Sequence, residues 1–106
     1  MKTIVFAFIA ALVFLLADVC FADKAVIVLY RSGCDYFIAK GRSGFYLLEW
    51  YGGYDPSEGD LIFGAIDSYG FHEAYYPSLD TEGNIYVEDY WLSKSQALEE
   101  YIEYCQ

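Results

Sequence analysis

Short apolar runs alternate with polar, glycine-containing turns through most of the chain after residue 22, a pattern typical of an all-β fold. The central stretch holds two such runs, residues 45–51 and 61–66, on either side of residues 52–60. The intervening segment contains three glycines, one proline and three acids, so it can continue neither run. The stretch therefore predicts two strands joined by a long hairpin loop.

Further strands are predicted at residues 24–30, 35–40 and 85–91, with a short one near 71–76. The first is apolar without alternation, which predicts a strand that is buried on both faces or closes a barrel. The strand after the long loop is predicted at residues 60–67, where Gly64 favours a bend or bulge at a barrel corner. Residues 80–84 are rich in turn formers and predict a loop.

Alternation within two strands assigns side chains to faces. At residues 45–51, Phe45, Leu47, Glu49 and Tyr51 share one face, and Tyr46, Leu48 and Trp50 share the other. Glu49 indicates that the first face opens to water at its far end. In the last strand, Ile85 and Val87 are predicted to point inward, with Tyr86 and Glu88 outward.

A helix is predicted at residues 93–105. Ser93 can cap its N-terminus, and Gln96 three residues later completes a capping box. Helical spacing predicts one buried stripe, made of Ala97, Leu98, Tyr101, Ile102 and Cys105. Glu99, Glu100 and Glu103 are expected to face solvent, where their charge near the C-terminus opposes the helix dipole. Packing and a covalent bridge must therefore hold this helix in place.

The first 22 residues have the pattern of a secretory signal peptide. Lys2 supplies a positive charge, residues 4–16 are unbroken apolar chain, and small residues precede a cut after Ala22. The apolar run is shorter than the roughly 20 residues that a membrane-spanning helix needs. A single-pass anchor is the alternative. Cys20 suggests a lipoprotein signal, but Asp18 and Val19 depart from the lipobox pattern.

Residues 23–106 contain two cysteines, Cys34 and Cys105. A domain this small buries only about 60–65% of its unfolded surface, so a covalent staple would help it fold. In an oxidising compartment an even pair of cysteines usually forms a bridge, which predicts a Cys34–Cys105 disulfide. A free catalytic thiol is the alternative, for which His72 is the one candidate base.

These elements predict a mainly β domain at residues 23–106: a small antiparallel barrel of five or six strands with a C-terminal helix. Residues 59–64, Gly-Asp-Leu-Ile-Phe-Gly, resemble the glycine–aspartate start of a strand in SH3-like and OB-like barrels. The resemblance covers about six residues and matches no characterised family across the domain. It implies a binding module more often than an enzyme, and it implies no particular ligand.

The domain is strongly acidic. Without Lys2 and Asp18, the chain keeps five Lys/Arg and fifteen Asp/Glu residues. From residue 43 onward, Lys94 alone opposes thirteen acids. This field repels nucleic acids and anionic membranes and attracts cationic partners. Solubility is the simpler explanation of the charge.

Tyrosine is the most unusual component, with twelve residues in the chain. A buried tyrosine hydroxyl needs a hydrogen-bond partner, so tyrosines suit half-exposed positions. The candidate ligand-binding residues lie at predicted strand ends or in loops: Tyr51, Tyr54, Tyr75, Tyr76, Tyr90 and Trp91, with Tyr86 beside them. They could form a stacking surface for a sugar, a peptide or a cationic group, aided by nearby carboxylates. The alternative is that they cover the barrel and its helix.

Acidic residues offer weaker candidates. Asp55, Ser57, Glu58 and Asp60, or Asp80, Glu82 and Asn84, could supply oxygen ligands to calcium, but neither set has EF-hand spacing. Glu49 with Glu88-Asp89 could act as a glycosidase carboxylate pair, although any acidic protein offers such pairs. A single histidine, His72, cannot make a zinc site while both cysteines are bridged. The sequence predicts neither a metal nor a cofactor.

We therefore expect a secreted or periplasmic, non-enzymatic binding module with a Tyr/Trp surface surrounded by acids. Its partner would be a protein, peptide or glycan rather than a nucleic acid, and no membrane anchor would remain after cleavage. One alternative is a structural or inhibitory envelope protein that binds a partner through an edge strand. Another is a small hydrolase that uses a carboxylate pair.

Overall fold

The computed structural model describes residues 23–106, which form six strands and one C-terminal helix. The strands are β1 (Asp23–Leu29), β2 (Tyr36–Gly41), β3 (Gly44–Gly53), β4 (Leu61–Gly64), β5 (Gly70–Tyr76) and β6 (Thr81–Leu92). A 3-10 turn at Pro77–Leu79 precedes β6, and helix α1 spans Lys94–Tyr104. The predicted signal peptide, residues 1–22, lies outside the described residues.

The strands close into a barrel in the order β1-β2-β3-β6-β5-β4. Every neighbouring pair is antiparallel, including the pair β1–β4 that closes the barrel. The predicted fold class, a small antiparallel barrel with a C-terminal helix, is confirmed. Each described strand has two neighbours, and the shortest pairing, between β4 and β5, joins two residue pairs.

The barrel interior forms the main hydrophobic core. Every strand contributes to it through the side chains that alternate inward. Its buried members are Ala25, Ile27, Phe37, Ala39, Tyr46, Leu48, Ile62, Ile66, Ala74, Tyr76, Ile85 and Val87. The inward direction predicted for Ile85 and Val87 is therefore confirmed.

A second core lies outside the barrel, beneath α1. Its buried members are Ile38, Leu47, Leu92, Ala97 and Tyr101. Strand β3 separates the two cores, with Leu48 facing the barrel interior and Leu47 facing the helix. The two-faced pattern predicted for this strand is confirmed, and its outer face opens to water at Tyr51, which is 53% exposed.

Of the two alternatives predicted for the first strand, closing the barrel is confirmed, because β1 pairs with both β2 and β4. The other alternative, burial on both faces, was wrong. In β1, Ala25 and Ile27 are buried, whereas Val26 and Val28 are 37% and 43% exposed. Helix α1 packs mainly on β2, β3 and β6, and from β1 Leu29 packs against the edge of the core beneath it. The outward valines are therefore left on the surface.

Two boundaries also differ from the predictions. Residues 81–84 belong to β6 rather than to a loop, because the reversal of the chain occurs earlier, at the Pro77–Leu79 turn and at Asp80 with φ of 46°. Strand β4 ends at Gly64 rather than at residue 67. A Cβ at Gly64 would lie 2.8 Å from the Glu73 carbonyl oxygen, so glycine permits β4 to approach β5 closely at the position where a bend or bulge was predicted.

Helix α1 begins with the predicted capping box. The Gln96 amide donates to the Ser93 hydroxyl at 3.2 Å, and the Ser93 amide donates to the Gln96 side chain at 3.0 Å. The predicted buried stripe is only partly correct. Ala97 and Tyr101 are buried, but Leu98 and Ile102 are 38% and 64% exposed because they face away from the strands that α1 covers.

The predicted disulfide joins Cys34, in the β1–β2 connection, to Cys105, which follows the last residue of α1. The two Cα atoms are 5.5 Å apart. Near the bridge, the Arg31 amide donates to the Tyr101 hydroxyl at 3.1 Å. The bridge and this hydrogen bond fasten the C-terminal end of the helix to the barrel.

Candidate functional site

The predicted aromatic surface is divided among separate parts of the molecule. Tyr54 and Tyr76 lie at the barrel end that carries the 54–60 loop, and Tyr90 and Trp91 lie at the opposite end. Tyr75 stands apart on β5. Tyr51 lies on the outer surface of the barrel with Tyr86. No single platform collects all six predicted residues.

Tyr76 is a correction to the predicted surface, because it is 1% exposed and belongs to the barrel core. Its position on β5 alternates inward with His72 and Ala74. Tyr54 is half-buried against it, with ring centroids 5.0 Å apart. The Tyr54 hydroxyl donates to Asp60 at 2.7 Å. This pair fills the end of the barrel rather than presenting rings to a ligand.

At the opposite end, Tyr90 is packed partly against the core and meets Trp91 edge to face, with centroids 5.2 Å apart. Trp91 is 53% exposed and takes a left-handed backbone conformation, with φ of 55°. Tyr69 packs on Tyr90 at 4.8 Å. These three rings form a separate aromatic group in which Trp91 remains open to solvent.

Tyr75 has a local role. Its side chain points outward and is 37% exposed, beside Phe63 of β4 in register. Its hydroxyl donates to Asp80 at 2.7 Å, which ties β5 to the turn that follows it. That hydrogen bond raises the pKa of Tyr75.

The clearest exposed cluster consists of Tyr51, Phe71 and Tyr86, which we call the aromatic face. Phe71 is 65% exposed and meets both tyrosines edge to face, at 4.9 Å from Tyr51 and 4.8 Å from Tyr86. The two tyrosine rings are 6.3 Å apart. Edge-to-face contact leaves ring faces and edges open at the surface of the barrel.

Three strands place the aromatic face. Tyr86 of β6 is in register with Phe71 of β5 on one side and with Glu49 of β3 on the other. An irregularity in the β3–β6 pairing between Trp50 and Gly52 then brings Tyr51 next to these rings. All three rings point outward because their neighbours in sequence fill the core.

Carboxylates surround this surface. Glu49 and Glu88 lie beside Tyr86 on the outer face, and Glu73 is exposed two residues from Phe71. The Tyr104 hydroxyl of α1 donates to Glu88 at 2.6 Å, and this hydrogen bond, with some burial, raises the pKa of Tyr104 to about 12. The face therefore combines open aromatic rings with negative charge.

Tyr36 extends this surface toward the helix. Its ring stacks on that of Tyr104 with centroids 4.8 Å apart. Burial, followed by a hydrogen bond with Glu49, raises the pKa of Tyr36. Of the carboxylates suggested as a hydrolase pair, Glu88 accepts the Tyr104 hydrogen bond, and Glu49 lies in register with Tyr36.

A carboxyl group of the nearby helix also has an altered pKa. Glu100 of α1 is half-buried, and burial together with the neighbouring Asp89 raises its pKa to about 7. The Asp89 carboxylate also accepts from the Tyr69 hydroxyl at 3.3 Å. Glu100 therefore changes charge near neutral pH.

The loop acids suggested as calcium ligands have protein partners. Asp55 accepts from the Tyr30 hydroxyl at 2.6 Å, and Glu58 accepts from the Tyr30 amide at 2.9 Å. Asp60 accepts from Tyr54 and from the Ser57 amide. Within residues 23–106, no three His, Cys, Asp or Glu side chains are grouped so that they could hold a metal ion. These contacts give the loop its shape.

His72 points toward the core from β5. It is half-buried, and its Nε2 atom has no hydrogen-bond partner among residues 23–106. Its place in β5, opposite Ile85, separates it from both cysteines of the disulfide. The thiol–histidine alternative is wrong, because Cys34 is bridged.

Three residues of the surface were not among the predicted site residues: Phe71, Tyr36 and Tyr104. Alternation within β5 was the available signal for Phe71, because Ala74 and Tyr76 on the inner face place Phe71 on the outer one. The Tyr36–Tyr104 stack depends on where α1 packs, which the sequence pattern does not give.

Comparison with known proteins adds no relative: the chain matches no protein-family model, no curated protein and no solved structure. Among residues 23–106, no helix is both long and apolar enough to cross a membrane.

Proposed function

We propose that this protein is a secreted or periplasmic, non-catalytic binding module whose aromatic face binds cationic segments of a peptide or protein. The observation that carries the proposal is the cluster of Tyr51, Phe71 and Tyr86 on the outer face of a closed barrel, with carboxylates beside it. The resemblance of residues 59–64 to SH3-like and OB-like barrels, whose members are more often binding modules, supports the same class of function.

The chemistry of the surface favours a positively charged ligand. An ammonium or guanidinium group within about 6 Å of a ring centroid gains roughly 0.5–1 kcal/mol at an exposed site. Glu49, Glu73 and Glu88 lie around the rings and add direct attraction. The net charge of −10 also steers cationic ligands toward the molecule.

The exposure of the rings in the aromatic face supports a role in ligand recognition rather than in folding stability. Phe71 and Tyr51 leave more than half of their surface in water, whereas the buried cores are formed by other residues. Large aromatic side chains contribute little to folding stability when they remain exposed to solvent. Their truncation should therefore affect ligand binding more than folding.

Hydrolysis is a second candidate, favoured by Glu100. A carboxyl group with a pKa near the working pH can act as a general acid, and a second carboxyl group, that of Asp89, lies beside Glu100. This candidate predicts turnover of a glycan or peptide substrate that Glu100→Gln abolishes. Turnover that survives Glu100→Gln, or its absence across a broad substrate panel, would reject it.

The binding proposal can be tested by titrating the isotope-labelled protein with a lysine- and arginine-containing peptide while recording aromatic NMR spectra. We expect shifts at Tyr51, Phe71 and Tyr86, and weaker binding as the salt concentration rises. A glutamate-containing peptide of the same length and a neutral oligosaccharide serve as controls. Equal responses to all three ligands, or shifts confined to other residues, would contradict the proposal.

A further inference from the structure

Positive charge is concentrated on a different part of the barrel from the aromatic face. Strands β1 and β2, the turn after β2 and the start of α1 carry four of the five basic residues of the described chain: Lys24, Lys40, Arg42 and Lys94. These side chains border two adjacent hollows on the outer surface, and Lys40 borders both. A strongly acidic protein therefore presents one basic surface.

The first hollow lies between β1–β2 and the N-terminal half of α1 and has a volume of about 370 Å³. Val28, Leu29, Ile38 and Leu98 contribute to an apolar lining, with Lys40 and Lys94 at the rim. The second hollow, also about 370 Å³, lies across β1, β2 and β4. Its apolar part includes Val26, Leu61 and Phe63.

This surface stays open because α1 covers only part of the outer sheet. The helix buries Ile38 and Leu47, but Val26, Val28 and Leu98 remain 37%, 43% and 38% exposed. Adjacent exposed apolar side chains with a polar rim are characteristic of binding sites. The basic rim adds a requirement on charge, since the ligand must carry a negative group.

The shape of the two hollows favours a small ligand. Their volumes fall within the range of about 300–1,000 Å³ that is usual for small-molecule sites. Stable protein partners instead need an interface of roughly 800 Å² on each side. An anionic bilayer is also disfavoured, since the net charge of −10 repels it at long range.

We infer that the surface between β1, β2 and α1 binds a single anionic amphiphile, an acyl chain with a carboxylate or phosphate headgroup. The chain lies along Val28, Leu29 and Leu98, and the headgroup lies between the Lys40 and Lys94 ammonium groups. The second hollow offers the same chemistry through Lys24 and Arg42 for a longer chain. This site is separate from the aromatic face and does not depend on its proposed function.

The experiment uses protein recovered after expression of the full chain, with sodium decanoate and decyl phosphate as probes below their micelle-forming concentrations. Calorimetry and backbone NMR should detect binding of both probes, with shifts at Val28, Lys40 and Leu98. Decyltrimethylammonium and decanol test the requirement for negative charge. We expect neither to bind within tenfold of the anionic probes.

Lys94→Met removes one rim charge and keeps an apolar stem, and it should weaken binding of decanoate by about threefold to tenfold, as expected for one partly exposed charge contact. Arg31→Met is the matched control, because Arg31 borders neither hollow and should leave the affinity unchanged. Leu98→Asp should abolish binding by placing a charge in the lining. Thermal unfolding of each variant shows whether it remains folded.

Several results would overturn the inference: equal binding of the cationic amphiphile, an equal loss of affinity in Arg31→Met, or NMR shifts confined to the aromatic face. Probe-induced dimerisation detected by light scattering would assign the surface to a second copy of the chain. Binding to anionic vesicles without binding of monomeric decanoate would assign it to a membrane surface. Each of these outcomes rejects the single-amphiphile site.

Discussion

Removing the disulfide should produce a large and calculable loss of stability. Cys34 and Cys105 are separated by 71 residues, so the bridge restricts almost the whole described chain when it is unfolded. Closing a loop of that length stabilises a protein by about 4 kcal/mol on the chain-entropy model. A small domain has a total stability of roughly 5–15 kcal/mol, so the loss is a large fraction of it.

The effect should be visible in the melting temperature. For a domain of 60–100 residues, 1 kcal/mol corresponds to about 4–8 °C, so Cys34→Ser with Cys105→Ser should lower Tm by about 16–32 °C. The helix should loosen first. Among its residues only Ala97 and Tyr101 are buried, and its glutamates oppose the helix dipole.

The assay is guanidinium unfolding followed by tryptophan fluorescence and by circular dichroism. The oxidised protein and the double serine variant are compared at equal concentration, and the m-value of the variant should be the larger because its unfolded chain is less restricted. Hydrogen exchange should show the greatest loss of protection in α1. A loss of less than about 1 kcal/mol in the free energy of unfolding would refute the chain-entropy reasoning. Two free thiols in unreduced protein would refute the disulfide itself.

Three further substitutions test local features of the structure. Glu100 has a folded pKa of about 7, above its ordinary value of 4.5, so its contribution to stability is full below pH 4.5 and is lost as pH rises through 7. For a partly exposed group this loss should be about 1 kcal/mol of unfolding free energy. It should be absent in Glu100→Gln, as measured by chemical unfolding from pH 4 to 8. Gly64→Ala places a Cβ 2.8 Å from the Glu73 carbonyl oxygen and should cost about 1–3 kcal/mol by the same assay, whereas a neutral effect would contradict the close contact. Ser93→Ala removes the helix cap and should cost about 1 kcal/mol with reduced protection of the first turn in hydrogen exchange, and unchanged protection would show that the cap is unimportant.

Much of the fold follows from local patterns in the sequence. Alternation in β3 and β6 assigns Leu48 and Val87 to the barrel interior, and the Ser93–Gln96 pair marks the start of α1. The parity of the cysteines predicts their bridge. These features depend on residues close in sequence or on simple pairing rules, so they can be predicted without coordinates.

The wrong predictions concern residues whose burial depends on packing between elements that are distant in the sequence. Leu98 and Ile102 have helical spacing, but α1 docks with Ala97 and Tyr101 inward. Val26 and Val28 are exposed because the helix packs mainly on β2, β3 and β6. The position of α1 over the sheet cannot be predicted from periodicity alone.

The candidate site shows the same division. The sequence indicates many half-exposed aromatic residues with acids around them, and Tyr51 and Tyr86 do lie together on the surface. The pairing register of β5 with β6 determines the other positions. It places Phe71 beside these two tyrosines and Tyr76 in the barrel core. A shift of one residue in β5 would exchange these two roles.

The most direct test of the proposed function compares peptide affinity and folding stability in one variant, Phe71→Ala. The ring is 65% exposed and makes edge-to-face contacts with Tyr51 and Tyr86. Calorimetric titration with the lysine- and arginine-containing peptide should show about a twofold to fivefold loss of affinity, as expected for roughly 0.5–1 kcal/mol at an exposed ring. The free energy of unfolding, measured in guanidinium, should fall by less than about 1 kcal/mol, as for most surface substitutions. A stability loss of several kcal/mol, or peptide affinity equal to that of the unaltered protein, would contradict the account.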